Sequence, residues 1–109
     1  MTLTFGETAR YARQAGKDIT ETDVRDRYED YVRRYGLDKA LVALQNTLKA
    51  FKEQARKEEA RLFCLVKADC LQRFGVAPAN RRTLGAELQE NPDRYGSVPS
   101  VQEYRRRFL

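Results

Sequence analysis

From residue 38 to residue 74 the chain runs without a single glycine or proline, and nothing else in it restricts the fold so strongly. Gly and Pro are the residues that punctuate helices, so one helix is expected over 38–74, with Asp38 at its cap. At 1.5 Å per residue that helix would be about 55 Å long. A compact chain of this length has a diameter of about 26 Å, so the helix either bends or belongs to an elongated molecule. Leu37, Leu41, Leu44, Leu48, Phe51 and Ala55 recur at alternating spacings of four and three, a heptad-like seam. Its first five members are the candidate homodimer interface. The seam stops at residues 52–61, KEQARKEEAR, where the only apolar residues are alanines; a stretch polar on all sides suits a helical spine crossing solvent between packed regions. Apolar positions resume at Leu62, Phe63, Leu65, Val66, Cys70, Leu71 and Phe74.

The remaining segments also read as helices. Residues 7–15 form a short one, with Ala9, Tyr11 and Ala12 as its apolar contacts and Gly16 as its stop. Thr20 and Asp23 make a capping box for a second helix whose Val24, Tyr28, Tyr31, Val32 and Tyr35 fall on one face, ended by Gly36. Asn80 caps residues 81–90, and Asn91-Pro92 ends them. After a turn, Ser100 and Glu103 form a second capping box beside Pro99. In that last helix Val101, Tyr104 and Phe108 make an apolar side, while Gln102, Arg105 and Arg106 share another. No strand pattern appears. The expectation is an all-α fold: a small helical bundle with a long central helix and a C-terminal helix-turn-helix-like unit. It is organised as one domain, 1–109, with an N-terminal bundle over 1–55, the charged spine over 52–61 and a C-terminal unit over 62–109.

Residues 75–109 of the 109 resemble the homing-endonuclease-associated repeat, a small DNA-binding module of endonucleases and mobile-element proteins. The likeness is carried by the Gly75-to-Pro78 turn, by Arg82 and Leu84 in a short helix, and by Pro99-Ser100 opening a helix that ends Tyr104-Arg105-Arg106-Arg107-Phe108. In the family the chain continues after the Phe as Gly-Ser-Trp and a further helix, whereas here Leu109 follows. The resemblance implies DNA contact from the last helix.

Charge points the same way. The chain has 21 Lys and Arg against 16 Asp and Glu, a net charge of +5, which suits an acidic partner such as nucleic acid. Residues 1–36 are balanced, and the excess lies beyond them. All basic residues after residue 74 are arginines, whose planar fork matches phosphate and guanine. Arg81, Arg82, Arg105, Arg106 and Arg107 are therefore the candidate contacts, with Arg105 and Arg106 foremost and Arg107 peripheral.

Catalysis is not expected. The chain has no histidine, the commonest general base, and no Gly-rich phosphate loop or nucleophile elbow. Glu21, Asp23, Asp26, Glu29 and Asp30 are spread among arginines on one helix, which reads as surface ion pairing. Cys64 and Cys70 are the only cysteines; six apart on one helix they cannot bridge, and both are read as buried small hydrophobes. Neither a metal nor another cofactor is implied. With no long apolar run and no secretory h-region, a cytoplasmic protein without membrane contact is expected.

Two function classes follow. The first is a small DNA-binding protein of mobile-element or phage type. The second is a helical protein-interaction module, an adaptor, antiactivator or inhibitor of a larger complex, since Tyr and Arg are the residues enriched at binding hot spots.

Overall fold

The computed structural model of the chain describes residues 4–109. Among the described residues it contains five helices and no strand: α1 (Phe5–Gln14), α2 (Glu21–Tyr35), α3 (Leu37–Phe74), α4 (Arg81–Glu90) and α5 (Pro99–Phe108). The all-α architecture with a long central helix is as the periodicity predicts. None of these helices is long and apolar enough to cross a membrane. The chain divides into two compact units, the first ending at Glu58 and the second comprising Glu59–Leu109. That division falls within α3, inside the charged 52–61 segment.

In the first unit α1 starts at Phe5, two residues before the expected position, because Phe5, Thr8 and Ala12 supply its buried face. Thr8 is tolerated there because its hydroxyl donates to the Thr4 carbonyl at 2.7 Å, leaving no unsatisfied buried donor. The Thr20 box forms as read: the Asp23 N–H donates to Thr20 Oγ1 at 3.1 Å and the Thr20 N–H to Asp23 Oδ2 at 3.0 Å. These bonds, the backbone one first, hold the Asp23 carboxyl below its ordinary range. Gly36, at φ +94°, turns α2 directly into α3 in a conformation that only glycine adopts without strain.

Phe5, Val24 and Leu44 form the first core, with Ala9, Ile19 and Tyr28 packed on it; the Phe5 and Tyr28 rings lie 5.2 Å apart. The α2 stripe is only partly spent there. Val24 is buried and Tyr28 half-buried, but Tyr31 and Tyr35 remain exposed, at 38% and 53%, leaning on each other at 4.6 Å. The α3 seam divides similarly. Leu44 and Ala55 are buried within the unit, Leu41, Leu48 and Phe51 are half-buried, and Leu37 is 56% exposed.

In the second unit Leu62, Val66 and Cys70, one ridge of α3 at steps of four, pack with Leu84 and Leu88 of α4, with Tyr95 and Val98 of the turn, and with Val101 and Tyr104 of α5. Leu65 and Leu71 lie off that ridge and stay exposed, and Phe74, its next step of four, is also exposed at the end of α3 with its ring 6.2 Å from that of Tyr95, so the apolar stretch expected from residue 62 onward is only partly buried. Cys70 is buried as expected, but Cys64 is exposed; it sits two residues from both Leu62 and Val66, about 200° around the helix from each.

Asn80 caps α4, accepting from the Thr83 N–H at 2.8 Å. The expected Ser100–Glu103 box does not form. Val98 is the cap residue and Pro99 opens α5, a position where its missing N–H costs nothing. The Ser100 hydroxyl instead donates to Asp69 Oδ2 of α3 at 2.7 Å.

Candidate nucleic-acid interface

The five candidate arginines lie on two helices of the second unit, Arg81 and Arg82 in the first turn of α4 and the triplet in the last turn of α5. On α5 the division of faces is as the spacing predicts. Val101 and Tyr104 are buried and Phe108 packs on the core, while Gln102 and Arg106 are exposed and Arg105 is half-buried.

The arginines differ sharply in how far they are already engaged. Arg81 Nη1 donates to Glu59 Oε1 at 2.9 Å, and the other oxygen of the same carboxylate accepts from the Tyr104 hydroxyl at 2.9 Å. Glu59 thus ties α3 to both α4 and α5. Arg105 Nη2 donates to the Pro92 carbonyl in the turn, which leans its head back over the loop. Glu103 accepts from both of its neighbours, from Arg106 Nη2 and Arg107 Nε, each at 2.6 Å. Those bonds, Arg106 before Arg107, hold its carboxyl below the usual range. The Arg106 side chain is nevertheless 60% exposed, whereas that of Arg107 is 13% exposed. Arg82 is exposed and makes no hydrogen bond or ion pair among the described residues. Lys67 and Arg73 on α3 add exposed positive charge that the sequence reading did not single out.

The acids of this unit are disposed differently. Residues 59–109 hold nine Lys and Arg and six Asp and Glu. Four of those acids are tied to groups of the unit: Glu59 and Glu103 as above, Asp69 by Ser100, and Glu87 by the Tyr95 hydroxyl and by Arg94 at 3.7 Å. Only Glu90 and Asp93 stand fully exposed without such a bond from a side chain. Burial, and then the acceptor carboxylates, raise both tyrosine hydroxyls above their ordinary pKa, Tyr95 against Glu87 and Tyr104 against Glu59, so both remain donors throughout the physiological range.

Sequence reasoning assigned Glu59 to the solvated spine and missed its role. No local signal marks it, because its partners are 22 and 45 positions away. Among the described residues no cluster of three or more His, Cys, Asp or Glu could hold a metal ion. No family model matches the chain, and neither a curated protein nor a solved structure does.

Proposed function

We propose that the chain is a small, non-enzymatic, cytoplasmic nucleic-acid-binding protein, of DNA-binding and mobile-element or phage type, whose contact surface is on the second unit. One observation carries this reading: the unit turns most of its carboxylates to internal partners, while Arg82, Arg106, Lys67 and Arg73 stay exposed. A phosphate-tracking surface needs positive charge that is not interleaved with free acid. Arg82, Arg105 and Arg106 are the contacts, while Arg81 ties α4 to α3 through Glu59 and Arg107 pairs with Glu103 within α5. The exposed pairing of Arg106 with Glu103 is no obstacle, since surface ion pairs are worth under about 1 kcal/mol and exchange readily for phosphate.

The test is a titration of the full chain against duplex DNA at several salt concentrations, beside an Arg105→Ala, Arg106→Ala double variant and Arg82→Ala. Each lost phosphate contact should lower the slope of log affinity against log salt by about one. No binding at low salt, or unchanged slopes in all variants, removes the reading.

A second reading, the protein-interaction module, is supported by a specific feature of the first unit: an open apolar groove between α2 and α3 bordered by the exposed Tyr31 and the half-buried Tyr28.

A further inference from the structure

We infer that this groove is a docking site for an amphipathic helix of another protein, one whose apolar stripe is bordered by acidic residues. The inference rests on the protein-interaction reading and gives it a partner chemistry. The groove floor is Val24, Ala40 and Leu44, all buried, and Tyr28, Tyr31 and Phe51 form its sides. It encloses about 210 Å³. A shallower depression that includes Val42 shares Tyr31 and Ala43 with it, so the apolar surface continues over α3 to a second exposed side chain. Along α3 the groove runs from Ala40 to Phe51, roughly 16 Å at the helical rise. That is three turns of an incoming helix, the span over which helix-in-groove recognition places its i, i+3 or i+4, and i+7 anchors.

Charge selects the occupant. Elsewhere on α2, Arg25 pairs with Glu21, and Arg33 and Arg34 both pair with Asp30. Arg27 is the one arginine of α2 that lines the groove; it makes no ion pair among the described residues, and acts only at longer range on Asp23, one turn earlier on α2. Lys39, lining the adjoining depression, makes none either, and the only acid on either lining is Asp38. A guanidinium beside an apolar wall attracts a carboxylate more strongly than one in open water, because the effective dielectric is lower. Tyrosine and arginine beside an apolar floor are also the side chains on which binding energy concentrates. A second copy of this chain is a poorer occupant: an isologous interface sets the same surface against itself and would bring this excess positive charge together.

The experiment uses the full chain as bait for a displayed library of about four-turn helices with an aliphatic stripe. Flanking positions are varied among Glu, Gln and Lys, with Arg27→Glu and Tyr31→Ala proteins in parallel. Both positions are exposed, and circular dichroism confirms that each variant is folded. Wild type should enrich Glu-flanked helices at least tenfold over Lys-flanked ones. Arg27→Glu should invert that preference, and Tyr31→Ala should weaken every selected helix. Equal enrichment of Glu and Lys flanks overturns the acidic partner but leaves a docking groove standing. No helix enriched over the Tyr31→Ala control removes the interaction reading of this groove as well. A dimer in light scattering that dissociates on Tyr31→Ala assigns the groove to a second copy and overturns the proposal.

Discussion

The Tyr104 hydroxyl donates to Glu59 Oε2 at 2.9 Å across 45 residues of chain, from a ring that is fully buried. Arg81 occupies the other oxygen of that carboxylate from a largely exposed position. Removing the buried partner should therefore matter more than removing the exposed one. Tyr104→Phe should cost about 1–2 kcal/mol, the range for an acceptor left without its buried donor, whereas Arg81→Ala should cost under about 1 kcal/mol. Urea unfolding followed by circular dichroism gives the order, and the reverse order would show that Arg81 is the true anchor.

Alkaline pH tests the same contact. Tyr104 and Tyr95 have folded pKa values raised above the unfolded value of about 10, first by burial and then by Glu59 and Glu87. A raised folded pKa stabilises the fold fully below the unfolded pKa, and the contribution is lost as pH rises from there through the folded value. Stability should be unaffected by these groups from pH 7 to about 9 and then fall, by at most about 1.4 kcal/mol per pH unit for each tyrosine. The loss should be shallower in Tyr104→Phe. An alkaline slope identical in that variant would contradict the assignment.

Thiol labelling distinguishes the two cysteines. Cys64 is exposed, while Cys70 is buried and its thiol pKa is raised, chiefly by that burial and then by Asp69 and Glu87. A thiol reagent at pH 8 should modify one equivalent rapidly in the native protein and the second only on unfolding, because the thiolate is the reactive form. Cys64→Ser should abolish the fast phase and leave the slow one.

Glu103→Gln should strengthen DNA binding on the reading proposed here. The carboxylate holds Arg106 and Arg107, and its neutralisation adds one net positive charge beside the largely exposed Arg106. Affinity at low salt should rise several-fold, and the gain should shrink as salt screens it. Unchanged or weaker binding would show that Arg106 does not face the nucleic acid.

At the first unit, Thr20→Ala removes the hydroxyl that accepts from the Asp23 N–H and should cost about 1 kcal/mol. The Asp23 carboxyl, with its lowered folded pKa, supports the fold above the unfolded carboxylate pKa. That support is lost as pH falls through the folded value. Acid titration of Asp23→Asn beside wild type should show the wild type losing its advantage over the variant below pH 4.

What the sequence determined by itself was whatever depends on neighbours within a turn of helix. The Thr20–Asp23 box, the Asn80 cap, the Gly36 turn and the unbroken helix through residues 38–74 were all legible, because each partner atom lies three or four residues away. The inward placement of Val101, Tyr104 and Phe108 followed from the 3.6-residue period alone. Only the tertiary structure decided which polar groups meet. Ser100 and Glu103 have the spacing of a capping box, yet α5 brings the Ser100 hydroxyl to Asp69 of α3, and Glu103 turns to its own arginines. The candidate arginines were legible as a residue type in a helix-terminal cluster, but not their engagement. Whether Arg82 stays open while Arg81 is held depends on Glu59, a residue in another helix. The same limit explains Cys64, Tyr31 and Tyr35: periodicity places a side chain on a face of its own helix, but burial requires another helix to cover that face. That covering is set by contacts between segments far apart in the chain.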